Sequence, residues 1–191
     1  MSEPDDDSHL VETRLRSEDV FDGRLLHVRR DTVRLPDGAE ATREFIVHPG
    51  AVMIIARLAD GTLLLERQYR YPLDRVFIEF PAGKVDAGED RLAAAMRELT
   101  EETGYVAARW SHLATMHPVI SYSTEQIDFY LAEELAHVGA KLDHGEFIET
   151  FCASLDEALR WLDAGRITDA KTMLGLLLLD RRRGNSRFTR P

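Results

Sequence analysis

Three glutamates carry the first chemical signal in this chain. Glu98, Glu101 and Glu102 stand at i, i+3 and i+4 within GKVDAGEDRLAAAMRELTEETGY, the stretch from Gly83 to Tyr105. On an α-helix that spacing puts three carboxylates on one face. Like charges so placed weaken an isolated helix by roughly 0.2–0.5 kcal/mol per pair. Hard divalent ions such as Mg²⁺ need clustered oxygen ligands and usually keep several waters. A bound cation therefore turns the repulsion into a binding site, whereas without one the pattern has the ordinary meaning of a solvated charged face.

The surrounding residues predict the elements that hold these glutamates. Leu92, Met96, Leu99 and Thr103 recur at helical spacing as a core stripe, and Ala93, Ala94 and Ala95 add helix propensity beside it. Gly104 is the expected C-terminal cap. Upstream, Pro81, Gly83 and Gly88 mark a loop that lets main chain approach the acidic face. Glu89 and Asp90 are placed in the first helical turn, where the helix dipole favours them. The unit reads as strand, loop, acidic helix.

That stretch resembles the signature of the Nudix hydrolases: Gly, five residues, Glu, seven residues, Arg-Glu, aliphatic, any, Glu-Glu, any, Gly, apolar. Gly83, Glu89, Arg97-Glu98-Leu99, Glu101-Glu102, Gly104 and Tyr105 fill every fixed position. The likeness extends to RQYR before the box, IEFPAGK leading into it and ITDAKT near the end. These are similar to the ADP-ribose pyrophosphatase branch and carry the resemblance over residues 10 to 182.

The resemblance implies an α/β/α sandwich with a mixed sheet, preceded by a small antiparallel N-terminal sheet that is exchanged between the subunits of a homodimer. It also implies Mg²⁺-dependent cleavage of a nucleoside diphosphate sugar, with Mn²⁺ as a substitute, into a nucleoside monophosphate and a sugar phosphate. ADP-ribose leads among substrates; GDP-mannose and reduced dinucleotides are the alternatives. A catalytically silent ligand sensor is the alternative from another class, although the box is complete and the residues after Arg183 are too few for a DNA-binding domain.

The resemblance also assigns roles. Glu98, Glu101 and Glu102 are expected to ligate metal, together with the backbone carbonyl of Ala82. Arg97 cannot bind a cation, and with Glu89 as partner it is expected to pin loop to helix and orient the glutamates. Glu146, in LDHGEFIET, is the expected general base or a further metal ligand. His144 stands where relatives can carry another acid and is the alternative base; Asp143 and Glu149 are weaker candidates. Arg43 and Arg70 suit phosphate oxygens, with a surface ion pair as the plain meaning of each. Glu125 is expected to reach a ribose hydroxyl, and Tyr69 to stack on a base or, as the plainer meaning of one aromatic, to fill the core. One departure is Val119 after Pro118, where the branch usually has a glycine, so the loop that selects the sugar differs in shape.

Composition sets the outer limits. The 191 residues are 44% hydrophobic, enough for a substantial core. A formal net charge of −10 argues against a nucleic-acid partner, whose phosphates call for clustered Lys and Arg. Cys152 is the only cysteine, which excludes an intramolecular disulfide or a cysteine zinc cluster and fits a cytoplasmic protein. Its neighbours Phe151 and Ala153 predict a buried, inert thiol. The acidic N-terminus has no apolar segment of the kind that targets secretion, and the longest apolar run, around Met173 to Leu179, is too short to cross a bilayer.

In chain order, residues 1–9 form an acidic tail and 10–48 a small β-sheet subdomain with strands around 13–21, 25–35 and 41–48. Asp22-Gly23 and Asp37-Gly38 are its turn signals. Such a sheet buries too little to stand alone, so it must pack on the rest of the chain or on a second subunit. Residues 49–183 form the hydrolase domain and 184–191 a tail. Within the domain a hairpin turns at Asp60-Gly61, and strands are expected at 76–80, 110–116, 126–133 and 147–153. Ser154 and Glu157 make a capping box, and a last helix starts at Thr168 and ends on its arginines.

Overall fold

The computed structural model describes residues 7–139 and 147–188, with side chains as far as Arg183. Among these residues the chain forms two compact units. The first ends at Pro49 and also takes in Val119–Glu125. It contains β1 (Thr13–Asp22), β2 (His27–Arg34) and β3 (Glu40–Val47), an antiparallel sheet in that order. The Asp37-Gly38 turn closes with Gly38 at φ +88° and its N–H on the Leu35 carbonyl. The 119–125 segment joins β3 through Ile46 N–H to Tyr122 O (2.9 Å) and Thr124 N–H to Ile46 O (3.0 Å). Every residue of β1 is exposed, Leu15, Val20 and Phe21 included.

The second unit holds Gly50–Pro118 and the chain from Gln126 onward. Its strands are β4 (Ala51–Arg57), β5 (Leu63–Arg70), β6 (Arg75–Glu79), β7 (Ala82–Lys84), β8 (Tyr105–Met116), β9 (Ile127–His137) and β10 (Ile148–Ala153). The helices are α1 (Arg91–Thr103), α2 (Leu155–Asp163) and α3 (Ala170–Phe188). The main path of the sheet is β10-β5-β4-β9-β8, with β6 on β5 and β7 on β4. Only β4 and β9 run parallel; the other pairs are antiparallel. The sheet is therefore mixed, as expected.

Alternation along the central strands builds two cores. Met53, Ile55, Leu63, Leu65, Phe129 and Leu131 pack with Ala158 of α2 and with Leu176 and Leu179 of α3. Val52, Ile54, Ala56, Leu64 and Ala132 point to the opposite face and pack with Ala94, Ala95 and Leu99 of α1. Covered on both faces, β4 reads as a nearly unbroken apolar run. The result is the α/β/α sandwich, with the acidic helix the one helix on its face among the described residues. No helix among the described residues is long and apolar enough to cross a membrane.

Several details differ from expectation. Met96 is 42% exposed, because the buried stripe of α1 is centred on Ala95, Leu99 and Glu102, and the small alanines let the helix sit close to the sheet. Asp90 is the N-cap, its carboxylate accepting from Leu92 N–H and Ala93 N–H, so Glu89 lies before the helix rather than in it. Cys152 is exposed: Phe151 and Ala153 turn into the α2–α3 core, and alternation sends the thiol to the other face. The last helix begins at Ala170, with Asp169 accepting from Thr172 N–H, and Thr168 stays outside it. That helix continues to Phe188, so Arg181–Arg183 are not its last turn; Arg183 pairs with Asp156 and Asp180 instead. The short strand β7 had no periodic signal, being three residues long and containing a glycine.

Candidate active site

The acidic face of α1 is assembled by main chain approaching from β7. A Cβ built on Gly83 would lie 1.9–2.3 Å from the carboxylate atoms of Glu98, so only glycine leaves Glu98 its position. Ala82 donates its N–H to the Glu102 carboxylate at 3.0 Å, and Glu102 is buried. Helix C-capping fixes the far end: Gly104 takes φ +74° and returns its N–H to Thr100 O.

Arg97 ties these parts together. Its guanidinium donates twice to Glu89 (2.9 Å each), once to Glu98 (2.8 Å), once to Glu101 (3.0 Å) and once to the Lys84 carbonyl (3.0 Å). One planar fork thus reaches loop and helix at once, which an ammonium could not do. The Arg97 hydrogen bonds, with help from Asp86 N–H, lower the Glu89 carboxyl from 4.5 to about 2. The same pairing, led by Glu89, drives the Arg97 guanidinium further above its already high value.

Among the described residues no three carboxylate, imidazole or thiol side chains converge as a finished metal site would. Glu98 and Glu101 are turned onto Arg97, and Glu102 onto Ala82. The donor set nevertheless fits a hard cation in kind. Three carboxylates of one helix face lie beside main chain that only a glycine lets so near, and all the donors are oxygen.

The other expected site residues are scattered. Arg43 belongs to the first unit, where it forks onto Glu12. Glu125 is in the same unit, 3.9 Å from His48. Arg70 donates to both oxygens of buried Glu79, at 2.7 and 2.8 Å, so its fork is committed to protein. Tyr69 is exposed rather than in the core, with its hydroxyl on Asp74. Glu149 is exposed and pairs with Arg67 across β10 and β5. Asp143, His144 and Glu146 lie outside the described residues.

One support of the acidic helix was missed in sequence. Arg91, the first residue of α1, lies 3.0 Å from buried Asp128 on β9, and its guanidinium packs where a Cβ on Gly50 (φ +99°) would fall. Burial raises the Asp128 carboxyl, but hydrogen bonds from Thr115 and His112 outweigh it and keep it below the usual range. No spacing rule links Arg91 to Asp128, which are distant in sequence. The ITDAKT segment was visible as a motif, but nothing in sequence assigned it a task.

The structure thus presents a mixed sheet sandwiched by helices, with a strand, a glycine loop and an acidic helix clasped by one arginine, and comparison with known proteins names the class to which this arrangement belongs. Residues 47–176 match the NUDIX domain, and residues 12–46 match the nucleoside diphosphate sugar hydrolase N-terminal domain. The chain belongs to the Nudix family. It is 35% identical over 172 residues to the ADP-ribose pyrophosphatase of Bacillus subtilis, covering 89% of this chain and 93% of that one. It is 37% identical over 170 residues to the methanol dehydrogenase activator of Bacillus methanolicus, covering 88% and 92%. A crystal structure of an ADP compounds hydrolase superposes with a TM-score of 0.82 at 25% identity, covering 92% of this chain and 95% of that one.

Proposed function

We propose that this Nudix hydrolase cleaves the pyrophosphate bond of a nucleoside diphosphate sugar, with ADP-ribose as the preferred substrate and AMP and ribose 5-phosphate as products. The observation that carries this is the clasp of Arg97 over Glu89, Glu98 and Glu101 beside Ala82 and Glu102, which gathers carboxylate and main-chain oxygen of the kind a hard cation takes. The ADP-ribose pyrophosphatase of Bacillus subtilis supports the substrate, since its likeness covers the N-terminal sheet as well as the box.

Nudix hydrolases work with a divalent metal. Here Glu98, Glu101, Glu102 and the Ala82 carbonyl would hold Mg²⁺, or Mn²⁺ in its place, which would neutralise charge on the pyrophosphate oxygens and make a water more acidic. Arg97 orients two of the three carboxylates and keeps Glu89 ionised as its counterweight. Glu146 is assigned the proton of the attacking water. Arg43 and Glu125 are assigned to substrate, whereas Arg70 serves the protein by anchoring Glu79. A second copy of the chain is proposed to cover the exposed apolar side chains of β1, which makes the working enzyme a homodimer.

The test is phosphate release, after phosphatase treatment, from a panel of ADP-ribose, GDP-mannose and reduced dinucleotide, with and without Mg²⁺. Metal-dependent turnover with ADP-ribose ahead is expected. A different leader would move the substrate within the class, and no turnover of any would favour a ligand sensor.

A further inference from the structure

Three consecutive residues lead into the acidic site, and each is held by a different element. Phe80 donates its N–H to the hydroxyl of Thr172 on α3 at 3.0 Å. Pro81, which has no N–H to offer, accepts from Ile54 of β4 at 2.8 Å. Ala82 donates to Glu102 of α1 at 3.0 Å. Both helices therefore meet this short segment, although they cover opposite faces of the sheet.

The α3 end of the arrangement is fully built. Thr172 and Phe80 are both completely buried. Beside them the Lys171 ammonium pairs with Glu79, the residue before Phe80, and with Asp169 at 3.0 Å. Arg70 holds the same Glu79 carboxylate from the other side. Burial raises the Glu79 carboxyl, but hydrogen bonds from Arg70 and the charge of Lys171 outweigh it, so the pair stays ionic. Gly175, one turn along α3, allows the approach: a Cβ there would come within 2.8 Å of Met53 and 3.2 Å of Phe80. β6 ends at Glu79, so Phe80 N–H has left the strand ladder, and without the Thr172 hydroxyl it loses its acceptor in a dry interior.

We infer that Thr172, seconded by Lys171, is a positioning residue for the reaction, fixing the main chain at Phe80 so that Ala82 meets Glu102 at one set distance. The inference rests on the assignment of Ala82 and Glu102 to the metal site. It gives the ITDAKT segment a task that its place at the start of α3, on the face away from the acidic helix, conceals.

The experiment compares Thr172→Val, which keeps the side-chain shape and removes the acceptor, with Thr172→Ser, which restores it. Leu179→Ala is the control, a core residue two turns along the same helix with no hydroxyl to offer the Phe80 N–H. Amide exchange of Ala82 is measured in the metal-free protein, Mg²⁺ affinity by calorimetry and kcat by phosphate release. In Thr172→Val, Ala82 exchange is expected to rise about tenfold and Mg²⁺ affinity to fall several-fold at near-normal secondary structure. Thr172→Ser is expected to restore both, and Leu179→Ala to lower the unfolding midpoint while leaving both unchanged. Unchanged Ala82 exchange in Thr172→Val, or an equal rise in Leu179→Ala, overturns the inference. Glu102→Gln with unchanged Mg²⁺ affinity would instead overturn the metal assignment, and Ala82 exchange in metal-free protein judges the clamp separately.

Discussion

Glu102 is the residue on which the chemistry should depend most sharply. It is buried, it receives the Ala82 N–H, and it is the deepest of the three box carboxylates. Glu102→Gln keeps the shape and removes the charge. Turnover at saturating Mg²⁺ should fall by ~10²-fold or more, about 2.7 kcal/mol in the barrier, with an unchanged circular dichroism spectrum. Gly83→Ala probes the same face through geometry. Its Cβ would collide with the Glu98 carboxylate, the free end of a flexible side chain, so the fold should survive while Glu98 is pushed aside. Calorimetric Mg²⁺ titration should show weakened binding, and wild-type affinity would remove Glu98 from the metal site.

At the scale of elements, the loop and helix are joined by ion pairs whose pH dependence can be worked out. The Glu89 carboxyl is lowered from 4.5 to about 2 by Arg97 and Asp86 N–H. A carboxyl lowered on folding adds stability above its unfolded pKa and loses it as pH falls toward the folded one. The contribution should therefore be complete near neutrality and disappear between about pH 4.5 and 2. Glu89→Gln should flatten the acid limb of a denaturation series over that window, and an unaltered limb would contradict the pairing. The other end of α1 should answer to backbone geometry alone. Gly104→Ala places a side chain at φ +74° and should cost about 1 kcal/mol in chemical denaturation.

Much of this element was legible because its signals are local. The box glutamates, Gly83, Arg97 with Glu89 and the Gly104 cap all follow from spacing within one stretch. The face of α1 was read one position off, since a stripe through Met96 counts large apolar residues whereas the actual contact uses alanines. The burial of Cys152 was misread because its apolar neighbours in sequence lie on the opposite face of β10. Arg91 with Asp128, and Thr172 with Phe80, are contacts between distant segments, and nothing in either segment alone names its partner.

At the scale of the whole molecule, the mixed sandwich and the small preceding sheet were both expected, and within the second unit the strand order explains how the acidic helix and its loop are supported. β7, which carries Gly83, pairs with β4, and β4 is itself held on its other side by β9, so the main chain beside the acidic helix is braced by a central strand of the sheet. In the first unit three apolar side chains of β1, Leu15, Val20 and Phe21, are exposed among the described residues, on a sheet too small to be stable by itself. Sedimentation equilibrium at micromolar concentration should give a dimer, and Phe21→Asp should shift it toward monomer. A monomeric wild type would remove the second copy from the proposal.

The most direct measurement is metal-dependent hydrolysis of ADP-ribose by the wild type and Glu102→Gln side by side, with products resolved by chromatography. The wild type should release AMP and ribose 5-phosphate in Mg²⁺ and nothing in chelator, and Glu102→Gln should be slower by ~10²-fold or more. Equal rates for the two proteins, or turnover that persists in chelator, would contradict the assignment of the acidic helix as the catalytic metal site.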